Sequence, residues 1–98
     1  MSEPRQAADF LREAREQERA ACLPEAIASY EAAVAAAERG GERTVLAEAL
    51  RRLAVVRRHR SEVAAATALC QQSYEVARQS GDDLLAAEAL NTLGGLYL

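Results

Sequence analysis

The densest group of side chains that could do chemistry is the arginine run RRLAVVRRHR, which occupies residues 51–60. Guanidinium groups form paired hydrogen bonds with carboxylates and phosphates, so this run could bind an acidic peptide or another anion. A structural role competes with this interpretation. Glu48 precedes Arg52 by four residues, which favours a helical ion pair. Cations at 57–60 would also complement the dipole at the C-terminal end of a helix.

Nucleic acid is a disfavoured partner for the same run. No aromatic residue lies among these arginines to stack on bases. The chain has 12 basic and 15 acidic residues, which gives a net charge of −3, whereas nucleic-acid-binding domains are usually basic. Such binding would depend on Arg51 and Arg58 and would be abolished by modest salt.

Catalytic chemistry has little support in the residues. His59 is the single histidine, and it lies between Arg58 and Arg60 rather than beside an orienting carboxylate. One histidine and two cysteines, Cys22 and Cys70, do not provide the ligand set of a metal site. We therefore expect no enzymatic activity, no metal and no cofactor.

Composition indicates a single domain over residues 1–98, because this length is close to the usual domain size. Half of the residues are apolar, but most of them are small and none is tryptophan. Such a composition suits closely packed helices better than a large ligand cavity. The sequence shows no secretory signal and no apolar stretch of about 18 residues, so we expect a cytoplasmic protein with reduced cysteines.

The chain repeats itself at an interval of forty residues. The segment AEAL at 47–50 recurs at 87–90, and Leu53 aligns with Leu93. Internal repeats of this length are typical of stacked helical arrays. Apolar residues recur at helical spacing between the turns. We predict five helices, at about 4–21, 24–39, 43–58, 61–79 and 83–98.

Turn residues fall between these predicted helices. Gly40-Gly41 and Gly81 suit helix C-terminal caps that require a positive φ. Ser61 and Asp82 suit N-caps. Two antiparallel helices cannot bury their apolar faces alone, whereas stacked pairs share a continuous core. The predicted fold is therefore an all-α solenoid of antiparallel helix pairs rather than a closed bundle.

The apolar and small residues at these spacings resemble the tetratricopeptide repeat. The matching positions are Leu90, Leu93-Gly94 and Tyr97 for its first helix, and Ala26, Tyr30 and Ala33 for its second helix. The spacing of forty is similar to the longer-helix variety found in kinesin light chains and in many bacterial signalling regulators. The resemblance implies two units, about 7–46 and 47–86, and a half unit at 87–98.

This resemblance implies a non-catalytic protein-interaction module with a concave groove lined by the first helix of each unit. The expected occupant is a peptide or an acidic segment of a protein partner. The residues expected on the groove face are Arg12, Arg15, Arg19, Arg51, Val55, Arg58 and Asn91.

The last predicted helix would leave one apolar side uncovered. The residues expected there are Leu93, Leu96, Tyr97 and Leu98. An uncovered apolar helix is typical of an interaction site. Three explanations stay open: a homodimer, a longer repeat array, or a helix that itself acts as the cap. An alternative function is that of a regulatory or docking segment in a larger bacterial signalling or transcription-regulator protein.

Overall fold

The computed structural model describes residues 5–96, which form five α-helices. Their bounds are α1 (Ala7–Arg19), α2 (Leu23–Gly40), α3 (Arg43–His59), α4 (Val63–Gln79) and α5 (Asp83–Leu96). No strand occurs within 5–96, so the prediction of an all-α protein is confirmed. Helix α1 ends before the predicted residue 21, because the chain already turns at Ala20 and Ala21.

The four turns between the helices share one geometry at an interval of twenty residues. One residue of each turn has a left-handed backbone, with φ of 61°, 67°, 64° and 71° at Ala21, Gly41, Ser61 and Gly81. The next N–H in each turn donates to a carbonyl five residues back, at 2.8 to 3.0 Å. This is the Schellman motif, which ends a helix and reverses the chain. Each forty-residue repeat therefore consists of two halves with equal turns.

The predicted N-cap at Ser61 is wrong, because this serine ends α3 rather than beginning α4. The N–H of Glu62 donates to the carbonyl of Arg57 at 2.9 Å, which requires the left-handed backbone at Ser61. Glu62 then takes the N-cap position without a capping hydrogen bond from its side chain. The predicted cap at Asp82 is confirmed, since its Oδ1 accepts the N–H of Leu85 at 3.1 Å.

Helix α3 lies at the centre of the molecule. Each helix packs against the next along the chain, and α3 also contacts both α1 and α5. In the described part of the chain, no Cα atom of α2 lies within 8 Å of one in α4. Helices α1, α3 and α5 therefore form a row in which α3 lies between the other two. The molecule measures 48 × 32 × 18 Å.

Small side chains allow these helices to approach closely. Ala14, Ala33 and Ala54 are fully buried where helices meet, and short side chains at a contact reduce the distance between helix axes. One buried polar bond joins α4 to α3: Ser73 Oγ donates to the carbonyl oxygen of Ala47 at 2.6 Å. Within residues 5–96, no helix is both long and apolar enough to cross a membrane.

We predict that Ala21→Gly raises the free energy of unfolding by about 1 kcal/mol, because a left-handed backbone strains alanine but not glycine. Ala20→Gly is the matched control. Ala20 has a φ of −82°, so a glycine at position 20 relieves no strain. It only increases the conformational entropy of the unfolded chain, which lowers the free energy of unfolding. Urea unfolding measures both variants. Equal effects of the two glycines would contradict the turn geometry.

Candidate functional site

An open cleft of about 230 Å³ lies between α1 and α3. Arg15, Glu18 and Arg19 line it from α1, and Arg52 lines it from α3. Positions three and four apart on a helix share one face, so Arg15, Glu18 and Arg19 reach the same side of α1. Three guanidinium groups and one carboxylate give the lining an excess of positive charge.

The carboxylate of this cleft is held by α2. The hydroxyl of Tyr30 donates to Glu18 Oε1 at 2.5 Å, and the tyrosine itself is fully buried. A second bond, from Ser29 Oγ to Gln17 Oε1 at 2.7 Å, joins the same two helices. Burial and the bond to Glu18 together raise the pKa of the Tyr30 phenol well above its usual range. The Glu18 side of the cleft is therefore anchored to the core.

The arginines of the cleft differ in how they are paired. Arg52 Nε lies 2.8 Å from Glu48 Oε2, which confirms the ion pair predicted from their spacing. Neither Arg15 nor Arg19 forms a salt bridge with a carboxylate of residues 5–96. Both side chains are exposed on α1. Two of the three guanidinium groups are thus available to an external anion.

Other predicted groove residues extend towards α5 instead of α1. Arg51 Nη2 lies 3.4 Å from Glu88 Oε2, and only 18% of the Arg51 side chain is exposed. Arg58 Nη1 lies 3.6 Å from the point where a Cβ on Gly95 would be. Arg51 and Arg58 therefore lie along the junction of α3 with α5. Val55 is half-buried on α3, and Asn91 is exposed on α5.

Arg12 is engaged outside the cleft. Its Nη2 donates to Asp9 Oδ1 at 2.7 Å in the first turns of α1. The backbone N–H of Gln6, together with this guanidinium, lowers the pKa of Asp9. Of the predicted α1 residues, the structure brings Arg15 and Arg19 into the cleft but not Arg12.

Arg52 is the cleft residue that sequence reasoning did not assign to the groove. Neighbouring residues on a helix point about 100° apart, so Arg51 and Arg52 can face two different helices that contact α3. Arg51 turns to α5 and Arg52 turns to α1. The Glu48 spacing was the available signal for Arg52, but it indicated only an ion pair.

The C-terminal end of the arginine run has a structural role. Arg57 Nη1 lies 2.8 Å from Glu62 Oε2, and Arg57 Nη2 lies 3.6 Å from Glu31 Oε2. Arg60 Nε lies 3.5 Å from Glu62 Oε1. These contacts connect the end of α3 to α2 and to the start of α4.

Burial raises the pKa of the Cys70 thiol, while Cys22 is exposed, and both cysteines are free. Residues 5–96 contain no group of three or more His, Cys, Asp or Glu residues arranged to hold a metal.

A second cleft, of about 360 Å³, lies between α2 and α4. Its apolar lining includes Leu50, Leu53 and Leu69, while Glu31 and Glu38 contribute negative charge. An acidic ligand would be repelled by these carboxylates. The cleft between α1 and α3 is therefore the better site for an anionic partner.

The predicted self-association residues are divided by the structure. Leu93 and Leu96 are half-buried and pack against the cluster of Ala54, Ala66 and Cys70. Tyr97 and Leu98 lie outside the described residues. The large apolar side chains that α5 exposes are instead Leu84, at 70%, and Leu90, at 49%.

Comparison of the chain with protein-family models, with curated proteins and with solved structures gives no match.

We predict that the free energy of unfolding falls as the pH rises above about 10. The unfolded tyrosine then loses its proton, whereas the buried Tyr30 retains it, so the loss is up to about 1.4 kcal/mol per pH unit. Tyr30→Phe should reduce this slope and cost about 1 kcal/mol at neutral pH, through the lost bond to Glu18. Urea unfolding of both proteins at neutral and alkaline pH measures the difference. Equal slopes would contradict the raised pKa.

Proposed function

We propose that this chain is a non-catalytic protein-interaction module that binds an acidic peptide segment in the cleft between α1 and α3. The observation that carries the proposal is the position of Arg15 and Arg19. Both are exposed and lie opposite Arg52, and neither forms a salt bridge with a carboxylate in the described residues.

The proposal includes an α-solenoid of the tetratricopeptide type. Its support is the row formed by α1, α3 and α5, together with the separation of α2 from α4. The equal turns at twenty-residue intervals give further support, since stacked repeats require each helix pair to reverse in the same way. The row would then be the concave face, and the arginine cleft would be one part of its groove.

The size of the cleft favours side chains over a whole small molecule. Its 230 Å³ is below the roughly 300–1,000 Å³ of typical small-molecule pockets. A cleft of this size suits one or two carboxylate groups projecting from an extended peptide. Arginine forks recognise such groups in paired geometry. Glu18 lies on the same face of α1 and would repel a ligand carboxylate, but the three guanidinium groups of the cleft outnumber this one negative charge.

The proposed setting follows from this kind of site. A cytoplasmic protein with an acidic exposed segment is the proposed partner. The chain would bind this segment and would catalyse no reaction on it. Docking within a larger bacterial regulator is the alternative setting. It would use the same helices, and its partner would be a neighbouring domain.

We predict that Arg15→Ala combined with Arg19→Ala weakens binding of a fluorescent peptide of about ten Glu and Asp residues by at least about tenfold, because two charge-assisted contacts are lost. Fluorescence anisotropy measures the dissociation constant at low and at high salt. Arg39→Ala combined with Arg43→Ala is the matched control, since both residues are exposed and neither lines the cleft.

The control should bind within about twofold of the unmodified protein, and salt should weaken the unmodified protein far more than the cleft variant. An equal loss in both double variants would reduce the effect to net charge and would contradict the proposed site. Circular dichroism establishes that each variant is folded.

A further inference from the structure

One face of α3 is buried, whereas the residues of α5 that correspond to it forty positions later are exposed. Ala47, Leu50 and Ala54 of α3 are 0–1% exposed. Forty residues on, the same positions are Ala87, Leu90 and Gly94. All three are exposed, and Leu90 is 49% exposed.

Helix α4 covers this face on α3. It follows α3 after a Schellman turn, so it runs back in the opposite direction. It presents small side chains, among them Ala66, Cys70 and Ser73, all of which are buried. The bond from Ser73 to the Ala47 carbonyl shows how closely the two backbones approach. A helix that covers α5 in the same way must run antiparallel and present small residues.

Helix α5 itself meets this description. We define the α5 seam as Asp83, Ala87, Leu90 and Gly94, which are all exposed. Their spacing of four, three and four is that of a coiled-coil seam. The seam carries one large apolar residue between two small ones. We propose that the α5 seams of two copies of this chain pack against each other in an antiparallel, two-fold symmetric dimer.

The symmetric pairing places complementary residues opposite each other. With the two-fold axis between Ala87 and Leu90, Leu90 of each copy packs over the partner's Ala87, and Asp83 lies opposite the partner's Gly94. The acidic residues then lie at the two ends of the pair, far from one another. Each large side chain therefore faces a small one.

The other end of the molecule argues for a closed dimer over a head-to-tail stack. Exposed residues of α1 are mostly charged, including Arg12, Arg15, Glu16 and Arg19. A stack would bury these charges against the leucines of α5, which is costly without partners. Two-fold pairing leaves the α1 surface in water and uses one self-complementary patch.

Gly94 supports close approach at the seam. A Cβ at this position would meet nothing within 4 Å in the single chain. Glycine lowers helix stability relative to alanine, and the chain's own packing does not require it here. A second helix backbone lying against Gly94 would require it.

The expected dimer is weak. A helix of 14 residues is about 21 Å long, so one helix pair buries less area than a standard interface. We expect a dissociation constant in the micromolar range, and a measured mass that rises from 10.6 kDa towards twice that value with concentration. The seam lies on α5, apart from the arginine cleft, so dimerisation and peptide binding succeed or fail independently.

Light scattering after size exclusion, from roughly 1 μM to 1 mM protein, tests the inference on the full chain. Leu90→Asp should raise the dimer dissociation constant at least about 100-fold, because a charge replaces the central apolar contact. Leu84→Asp is the matched control. Its counterpart on α3, Thr44, stays exposed, so position 84 lies off the seam and the control should still dimerise.

Gly94→Ala provides a second variant that favours the folded helix. It should raise the thermal unfolding midpoint of dilute protein and weaken the dimer, because the added methyl group separates the two backbones. A chain that stays at 10.6 kDa over the whole range would overturn the inference. Equal loss of the dimer in the two aspartate variants would do so as well.

Discussion

Contact with α3 is the constraint on which the rest of the structure depends. Within the described residues, α3 packs against all four other helices, and seven of its residues are buried. Among the described residues, a strip of α3 stays open between α1 and α5, and it includes the half-buried Val55. The arginines that α3 carries along this strip, Arg51, Arg52 and Arg58, are thereby directed to one surface. Of these, Arg52 lines the candidate site together with Arg15, Glu18 and Arg19 of α1.

The arginines of the molecule differ in whether they form salt bridges with carboxylates of the chain. Carboxylates of the chain itself bind Arg51, Arg52 and Arg57, which joins neighbouring helices or turns of one helix. Arg15 and Arg19 reach the cleft from α1 without such partners among residues 5–96. A mildly acidic chain can thus present a positive surface locally. The proposed peptide site depends on this local excess rather than on the net charge of the molecule.

Much of the fold could be predicted because its signals are periodic. Apolar spacing predicted five helices, and Gly41 and Gly81 marked two of the four left-handed turns. The other two were hidden because alanine and serine rarely adopt a positive φ, so Ser61 was assigned to the wrong helix end. The left-handed turns at Ala21 and Ser61 are therefore evident from the backbone φ angles and not from the residue types.

The site was harder to predict because it depends on the rotation of helices about their axes. Arg51 and Arg52 are neighbours in sequence, yet they face different helices. Helix α5 is apolar on two sides, so its sequence could not decide whether Leu93 or Leu90 faces outwards. In both cases packing against the central helix decides the orientation, and no local pattern reports it.

The most direct test of the proposed peptide site is a nuclear magnetic resonance titration of the labelled protein with an acidic peptide, followed through the arginine Nε–H resonances. If the cleft binds the peptide, the resonances of Arg15, Arg19 and Arg52 shift together and saturate. Those of Arg39 and Arg78, which do not line the cleft, should stay in place. Saturable shifts confined to arginines that do not line the cleft, or no saturable shift at all, would contradict the assignment of the α1 and α3 cleft as the binding site.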